Sequence, residues 1–136
     1  MANFILPLDG VWKNMEVPSK ANQAYAEGEI VYSDGTDLVP GTTTSQKLFG
    51  IVQKAKASAA NTDPITVRVP MDANCTFKAV ATGTLTAAYV GRGFDLATST
   101  SVAQGATTYK PVILMKFIDA NTGVFAFNYA MGVNAS

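Results

Sequence analysis

Residues 27–55, with the sequence EGEIVYSDGTDLVPGTTTSQKLFGIVQKA, carry the pattern that decides the fold. Two short apolar runs, at 30–32 and 48–52, are rich in β-branched and aromatic residues and are flanked by turn formers, which indicates strands rather than helices. The segment between them is rich in Gly, Thr, Asp and Pro, and Asp34 and Asp37 occupy positions where turns favour aspartate. The sequence therefore predicts that the chain reverses direction here within a β-sheet.

Two further segments alternate apolar and polar residues, as half-buried strands do. In the first segment, Ile65, Val67 and Val69 share one face. In the second segment, Phe77 and Ala79 share one face. We therefore predict that these five side chains point into a core.

The C-terminal part of the chain predicts a β-hairpin. Its first strand, at 109–118, is the longest apolar run in the sequence, and we expect it to be buried on both faces over residues 112–115. The second strand returns at 124–129. Between the two strands, residues 119–123 have the composition of a turn, and Gly123 suits a left-handed corner because glycine has no Cβ.

The spacing of the apolar runs predicts an all-β fold. About seven or eight strands follow one another at intervals of about ten residues, which is typical of a small antiparallel barrel or sandwich. The pattern leaves the choice between barrel and sandwich open. We expect a single β domain at residues 27–136, preceded by an extended N-terminal arm at residues 1–26, where prolines prevent a long helix.

The N-terminal arm has two interpretations. Its apolar residues form small clusters that follow neither helix nor strand periodicity for long. In the first interpretation the arm is an irregular lead-in, and its tryptophan covers the edge of the core. In the second, the arm buries its apolar side chains on a neighbouring subunit, because exposed apolar clusters mark interfaces. The candidate partner-binding residues are Phe4, Ile5, Leu6, Leu8 and Trp12.

The charge composition argues against a nucleic-acid-binding protein. Lys and Arg together number 10, as do Asp and Glu, whereas binding to phosphates needs a clustered positive excess. Charged residues make up only 15% of the 136 residues, and near-zero net charge promotes association. With a hydrophobic fraction of 48%, the composition predicts a folded domain that packs against other protein chains.

The residue inventory also restricts the chemistry. The sequence contains no histidine, which removes the commonest general base and the commonest transition-metal ligand. The single cysteine, Cys75, cannot form an internal disulfide and is expected to be buried as a small apolar residue. No apolar stretch approaches the roughly 20 residues that span a membrane, and the first residues lack the features of a signal peptide. We therefore expect a protein made in a cytoplasm, with no membrane partner, no metal and no cofactor.

The remaining polar residues offer few routes to catalysis. Glu27 and Glu29 are two residues apart on one strand face and could hold a divalent cation, but a solvated strand end is the simpler interpretation. Ser19 and Lys20 would form a serine–lysine pair only if the fold brought their side chains together. Asp95 could orient a neighbouring loop, although a solvated carboxylate is the simpler interpretation. The sequence therefore predicts that the protein is not an enzyme and has no catalytic residues.

A carbohydrate-binding module is a function from a different class. Such β domains stack sugars on exposed aromatic rings, although aromatic residues in β proteins more commonly pack in the core and at its rim. The available residues are Trp12, Tyr25, Tyr32, Tyr89, Tyr109 and Tyr129.

The sequence also contains three segments with a common pattern of turn glycines and strands. They are AYAEGEIVYSDG followed by LFGIVQKA, then ITVRVPMDANCTFKAVATGTLTAAYVGRGFDLA, and KPVILMKFIDANTGVFAFN. Together they resemble the capsid decoration (cement) proteins of tailed bacteriophages, some of which have an opening of the type GEIV…G…FGIV. The resemblance covers residues 19–129 and carries no functional residue over to a numbered position.

This resemblance implies a virion structural protein without catalytic residues. Such a protein is made in the host cytoplasm, docks on the outer surface of the phage head, commonly as a trimer, and staples neighbouring major capsid subunits. The partner would be the major capsid protein. The alternatives are a tail or fibre component of the virion and a glycan-binding adhesion domain.

Overall fold

The computed structural model describes residues 5–57, 63–72 and 74–128. These residues form thirteen strands and one 3₁₀ turn, Ala87–Tyr89. The strands are β1 (Leu6–Pro7), β2 (Trp12–Pro18), β3 (Ala24–Tyr25), β4 (Ile30–Ser33), β5 (Leu38–Pro40), β6 (Gly50–Val52), β7 (Lys56–Ala57), β8 (Pro64–Pro70), β9 (Phe77–Thr82), β10 (Gly93–Thr98), β11 (Ser101–Ala103), β12 (Val112–Asp119) and β13 (Thr122–Phe127). Within these ranges, no helix has the length and apolarity that crossing a membrane requires.

Five of the strands close into a barrel, in the order β9-β11-β10-β12-β13 and back to β9. All of these pairs are antiparallel except β11 with β9, which is parallel. The predicted all-β class is therefore confirmed, and the fold is a barrel with further strands. The described strands outnumber the predicted seven or eight because six of them have only two or three residues, too few to show an alternation.

Aromatic and aliphatic side chains fill the barrel. Leu114, Phe125 and Phe77 form one row across β12, β13 and β9, and each is 0% exposed. The centroid of the Phe77 ring lies 6.1 Å from that of Phe125 and 5.2 Å from that of Phe127. Aromatic pairs at these distances add to the stability that burial alone provides, so Phe77 organises the barrel core.

The other large sheet has five antiparallel strands in the order β2-β8-β6-β4-β5. Ile30 and Ile51 are cross-strand partners and belong to the same buried cluster as the barrel core. Val31, Val52 and Val67 form a second buried cluster. Because successive residues of a strand point to opposite faces, this sheet packs on the barrel with one face and has a second small core on the other.

The predicted reversal at residues 27–55 is confirmed. Strand β4 pairs antiparallel with both β5 and β6. At the tip of the β4–β5 hairpin, Asp34 Oδ1 accepts hydrogen bonds from the backbone N–H groups of Asp37 and Thr36, both at 2.9 Å. These two bonds hold the pKa of Asp34 below its usual value, and the bond from Asp37 has the larger effect. Asp34 is thus a turn residue, as the sequence indicates.

The predicted inward faces of the two alternating segments are also confirmed. Ile65 and Val67 in β8 are buried, and so are Phe77 and Ala79 in β9. Val69 is half-buried and packs against the second cluster. Period-2 alternation located these core positions because each of these strands contributes one face to a core.

The two-stranded ribbon of β3 and β7 covers the second cluster. Its Tyr25 side chain belongs to that cluster and is 2% exposed. The Tyr25 hydroxyl accepts a hydrogen bond from Lys20 N at 2.9 Å and donates one to Leu38 O at 2.7 Å. Burial raises the pKa of Tyr25. This hydroxyl therefore links the segment before the ribbon to β5.

We expect Tyr25→Phe to lower the free energy of unfolding by about 1–3 kcal/mol, because Lys20 N–H and the Leu38 carbonyl lose their shared partner while the ring remains. Chemical denaturation measures the difference. Tyr109→Phe is the matched control, since the Tyr109 hydroxyl has no hydrogen bond within the described residues, and it should change stability by less than about 0.5 kcal/mol. Equal losses for the two variants would contradict the role of the Tyr25 hydroxyl.

The C-terminal hairpin of β12 and β13 forms as predicted, but two details of the prediction are wrong. Met115 is 37% exposed, so β12 is not buried on both faces over residues 112–115. It is β13 that is buried on both faces from Gly123 onwards, because it lies between β12 and β9 in the closed barrel.

Gly123 is also not a left-handed corner. It lies within β13, and its φ is not positive. A Cβ at this position would lie 2.6 Å from Leu114 Cδ1, which is closer than packed atoms allow. The position therefore favours glycine because the buried Leu114 side chain fills the space that a Cβ would need, and not because the chain turns there.

Residues 5–26, from the predicted arm, lie against the rest of the chain. Strand β2 pairs with β8 along all 7 of its residues, and Ile5 belongs to the buried cluster of the barrel. The prediction of an extended conformation agrees with β1 and β2. The predicted boundary between an arm at 1–26 and a domain at 27–136 stays a prediction.

Candidate docking surface

Hydrogen bonds fix the N-terminal segment to the loop that precedes β9. Leu8 N donates to Thr76 O at 2.9 Å, and Thr76 N donates to Asp9 O at 3.1 Å. On the other side of this loop, Met71 N donates to Val11 O at 2.9 Å. These bonds continue the pairing of β1 with β9 and of β2 with β8, so the segment is a fixed part of the surface.

Gly10 and Cys75 make a very close backbone contact within this region. Gly10 has a φ of 90°, and a Cβ there would lie 2.4 Å from Cys75 Cα, so only glycine fits. The Cys75 side chain is 1% exposed, which confirms that this cysteine is buried. Its thiol donates to Val11 O at 3.0 Å, and burial raises its pKa.

The predicted partner-binding residues occupy different environments. Ile5 is 1% exposed and packs in the core of its own chain. Trp12 is half-buried, and its ring centroid lies 6.1 Å from that of Phe127 in an edge-to-face arrangement. Leu6 and Leu8 are 46% and 45% exposed. Phe4 lies outside the described residues.

The chain therefore already buries Ile5 and largely buries Trp12, contrary to the expectation that an arm of this kind leaves such side chains for a neighbour. The reason is tertiary pairing. Strand β1 adds to the edge of β9, and β2 adds to β8, which brings both side chains over the barrel core. Such pairing joins residues that are 46 to 72 positions apart, and periodicity does not reveal it.

Two further exposed residues belong to this surface but are not among the predicted ones. Val11 is 60% exposed and Met71 is 54% exposed, and the backbone hydrogen bond between them places their side chains next to each other. Val11 adjoins the apolar cluster at Trp12, which is a signal in the sequence. Met71 gives no such signal, because only the pairing of β2 with β8 brings it here. We call Leu6, Leu8, Val11 and Met71 the N-terminal apolar patch.

A second group of exposed apolar side chains lies on the barrel. Met115 and Ile118, on β12, are 37% and 42% exposed, and Val90, after the 3₁₀ turn, is 47% exposed. Gly91 N donates to Leu114 O at 2.7 Å, so this turn lies against β12. This group matches the N-terminal apolar patch in exposure but belongs to different strands.

The polar candidates from the sequence have structural partners. Glu29 Oε1 accepts a hydrogen bond from Ala26 N at 3.0 Å, and Glu29 Oε2 accepts one from the Ser99 hydroxyl at 2.7 Å. The Ser19 hydroxyl donates to Asp63 O at 2.7 Å. The part of the chain that the structure describes holds no group of three or more His, Cys, Asp or Glu side chains placed to bind a metal ion.

Asp95 is not a solvated carboxylate, and the simpler interpretation of this residue is wrong. It is 3% exposed. Its Oδ1 accepts hydrogen bonds from Tyr109 N and Lys110 N, both at 2.7 Å, and its Oδ2 accepts one from Thr108 N at 3.2 Å. Asp95 therefore holds the loop that enters β12, which is the alternative that the sequence left open.

A shallow cleft of about 510 Å³ opens on the barrel beside this loop. Its lining includes Arg92, Lys110 and Asn128. The Asn128 side chain is 6% exposed and donates from Nδ2 to Lys110 O at 2.8 Å, while its Oδ1 has no hydrogen-bond partner among the described residues. Among the described residues, the lining includes two cations and no carboxylate.

Within residues 5–57, 63–72 and 74–128, the aromatic side chains do not form an exposed stacking platform. Tyr25 is buried, and Trp12, Tyr32, Tyr89 and Tyr109 are half-buried. Tyr129 lies outside the described residues. The described aromatic rings therefore pack at the core and its rim, where aromatic residues of β proteins are commonly found.

A comparison with known protein families gives a match over the N-terminal half of the chain. The family described as phage cement protein matches residues 3–71, just over half of the chain. This range includes strands β1 to β8 and all four residues of the N-terminal apolar patch. No curated protein matches the chain at a significant level.

Proposed function

The chain belongs to the phage cement protein family, and we propose that it binds the outer surface of the phage head and staples neighbouring major capsid subunits together. Membership makes it a structural protein of the virion capsid, in a family that is not an enzyme family. The stapling itself, the major capsid protein as partner and synthesis in the host cytoplasm are parts of the proposal.

The observation that carries the proposal is the N-terminal apolar patch. Its four large apolar side chains are between 45% and 60% exposed, and it lies within the range that matches the family. Exposed apolar groups of this kind mark protein interfaces. Because backbone hydrogen bonds already fix the segment, docking costs little further ordering of the chain.

The energy of docking follows from the area that remains exposed. About half of each side chain is still open to water, so its burial on the capsid contributes about 1 kcal/mol. One copy thus gains a modest affinity from this patch. A trimer, which is the oligomeric state that we propose, would engage several such patches at once and convert the modest affinity into avidity.

The sparse charge of the chain supports the same function. Only 15% of the residues are charged, and the four side chains of the patch carry none. Desolvating an unpaired charge at an interface is costly, so an uncharged patch docks without that cost. A capsid fails at the contacts between its subunits, and a bridging protein adds buried area across them.

The proposal is tested on phage heads that lack the protein, to which purified protein is added back. We expect the triple variant Leu6→Ser, Leu8→Ser and Val11→Ser to bind the heads about 100-fold more weakly, since three losses of about 1 kcal/mol add up to two powers of ten. Heads mixed with this variant should burst at the temperature of bare heads. Point substitutions are preferable to deleting residues 1–12, because the deletion also removes Ile5 from the core.

The matched control is the triple variant Val90→Ser, Met115→Ser and Ile118→Ser. It removes three apolar side chains of similar exposure from the barrel. We expect it to bind the heads like the unchanged protein and to restore their thermal stability. If both triple variants bind equally well, the N-terminal apolar patch is not the docking surface. If the unchanged protein leaves the bursting temperature of the heads unaltered, the stapling function itself is wrong.

A further inference from the structure

Strand β2 forms one end of the five-stranded sheet. It pairs with β8 on one side, and no described strand pairs with its other side. It is 7 residues long, which is long for a free edge, since an unpaired row of backbone N–H and C=O groups is a template for pairing with another strand.

The register shows which backbone groups of β2 point away from β8. Val11 with Met71 is a hydrogen-bonded pair, and the bond from Ser19 N to Asp63 O at 3.2 Å continues the same series. In an antiparallel ladder, hydrogen-bonded and non-hydrogen-bonded pairs alternate. The odd-numbered residues of β2 therefore bond to β8, and the even-numbered residues point outwards.

The prolines agree with this assignment. Pro18, Pro64 and Pro70 all stand at non-hydrogen-bonded pairs of the β2–β8 ladder, where no N–H is needed towards the partner. The outward N–H and C=O groups of Trp12, Asn14 and Glu16 are thus available on this edge. Their spacing matches that of the backbone groups of another extended strand.

We infer that β2 pairs antiparallel with β2 of a second copy of this chain, across a two-fold axis at Asn14. The pairing joins the two five-stranded sheets into one. A trimer contains a three-fold axis and no two-fold axis, so in the proposed trimeric assembly the two copies would belong to neighbouring trimers. The inference goes beyond the docking function and does not depend on it.

The charges and a proline disfavour three alternative two-fold registers, those closest to the centre of β2. A register centred on Lys13 or on Glu16 places two like charges directly opposite each other, which is destabilising. A register centred on Met15 places Trp12 opposite Pro18, whose ring stands where the N–H of the ladder would be. These three registers are therefore unfavourable.

The register centred on Asn14 has none of these conflicts. It places the Asn14 amide opposite the Asn14 amide of the second copy, Lys13 opposite Met15, and Trp12 opposite Glu16. Each outward N–H then faces a carbonyl, which gives up to six backbone hydrogen bonds between the copies. Charge and backbone complementarity thus favour pairing with a second copy in this register.

Cysteine cross-linking tests this register directly. Two residues in a hydrogen-bonded cross-strand pair have Cα atoms about 5.5 Å apart, which suits a disulfide. We expect the full chain with Asn14→Cys, treated with diamide, to give at least ~10-fold more disulfide-linked dimer on a non-reducing gel than Glu16→Cys. In this register residue 16 of one copy lies roughly 13 Å from residue 16 of the other, which is too far for a disulfide. The unchanged protein, whose Cys75 is buried, is the blank.

Every outcome of the cross-linking has a consequence. Dimer from Asn14→Cys alone supports the pairing and its register. Dimer from Glu16→Cys alone, equal dimer from both, or no dimer from either overturns it. A circular dichroism spectrum and a melting curve for each variant show that it is folded before oxidation.

A pair of proline variants provides a second measurement. In the unchanged protein, we expect high protein concentration to protect the Asn14 N–H from hydrogen exchange, because the second copy then bonds to it. Glu16→Pro removes an outward N–H and leaves the β8 ladder intact. This variant should therefore keep the fold but lose the protection at Asn14. Met15→Pro removes an N–H that bonds to β8 and should lower the melting temperature. Concentration-independent exchange at Asn14 in the unchanged protein would also overturn the inference.

Discussion

Replacing Asp95 by alanine is expected to lower the free energy of unfolding by about 3 kcal/mol. Three backbone N–H groups of residues 108–110 donate to this carboxylate, and charge-assisted bonds are stronger than neutral ones. Removing the carboxylate leaves these donors without a partner in a partly buried site, and each such loss costs about 1–3 kcal/mol when the group stays buried. Because water reaches part of the loop, the lower end of that range applies to each bond.

The conformation of Lys110 adds to this effect. Its φ is 52°, in the left-handed region, which costs a residue with a side chain about 1–2 kcal/mol. The bond from Lys110 N to Asp95 Oδ1 at 2.7 Å holds the residue there. Without Asp95, we expect the loop to relax and the start of β12 to lose its fixed position in the barrel.

Denaturant titration of Asp95→Ala measures this loss, with two comparisons. Asp95→Asn keeps one acceptor oxygen but loses the charge, so it should lose about 1–2 kcal/mol. Asp119→Ala removes an exposed carboxylate with one backbone bond, to Asn121 N at 2.9 Å, and should lose less than about 1 kcal/mol. If Asp95→Ala loses no more than Asp119→Ala, Asp95 does not anchor the loop.

Gly50→Ala is expected to destabilise the fold by a similar amount, about 3 kcal/mol, at the upper end of the usual range for overpacking. A Cβ at Gly50 would lie 2.5 Å from Arg68 O and 2.5 Å from Val67 Cγ1. Neither atom can move away easily, because one is a backbone oxygen of the paired strand and the other is a fully buried side chain. The methyl group must therefore separate β6 from β8 in the middle of the five-stranded sheet.

A melting curve measures this change, which should amount to about 10 °C for a chain of this size. Gly105→Ala is the matched control, since a Cβ there meets no atom within 4 Å and its φ is not positive. We expect it to leave the melting temperature unchanged within a few degrees. Equal melting temperatures for the two variants would mean that the sheet accommodates the methyl group and that the close approach is not fixed.

The sequence predicted the parts of the fold that local pattern determines. The faces of β8 and β9 followed from alternation, and the β4–β5 turn followed from its aspartate and glycine. Alternation of apolar and polar residues identifies the core face of a strand when the strand buries one face, as β8 and β9 do. The same reasoning failed for β12 and β13, since a long apolar run does not reveal which of two paired strands is enclosed by a neighbour on each side.

The candidate site was predicted in part, and the missing part depends on tertiary structure. Leu6 and Leu8 are exposed, but Ile5 is buried because β1 adds to the barrel. Met71 is part of the surface only because β8 runs beside β2. The sequence offered loop anchoring by Asp95 only as the less simple alternative, since a carboxylate that binds backbone N–H groups more than ten residues away looks like any surface acid in the sequence.

The shared edge of β9 determines how a force on the head would enter the protein. Strand β1 pairs with Phe77 and Lys78 on one edge of β9, and β11 pairs with residues 80–82 on the same edge. Strand β13 pairs with the other edge of β9. In the proposed docking mode, a pull on Leu6 or Leu8 would pass through the pairing of β1 with β9 into a strand that has neighbours in the barrel on both edges. Tension at the proposed docking surface would therefore reach the closed barrel directly, through a strand that also pairs with β11 and β13.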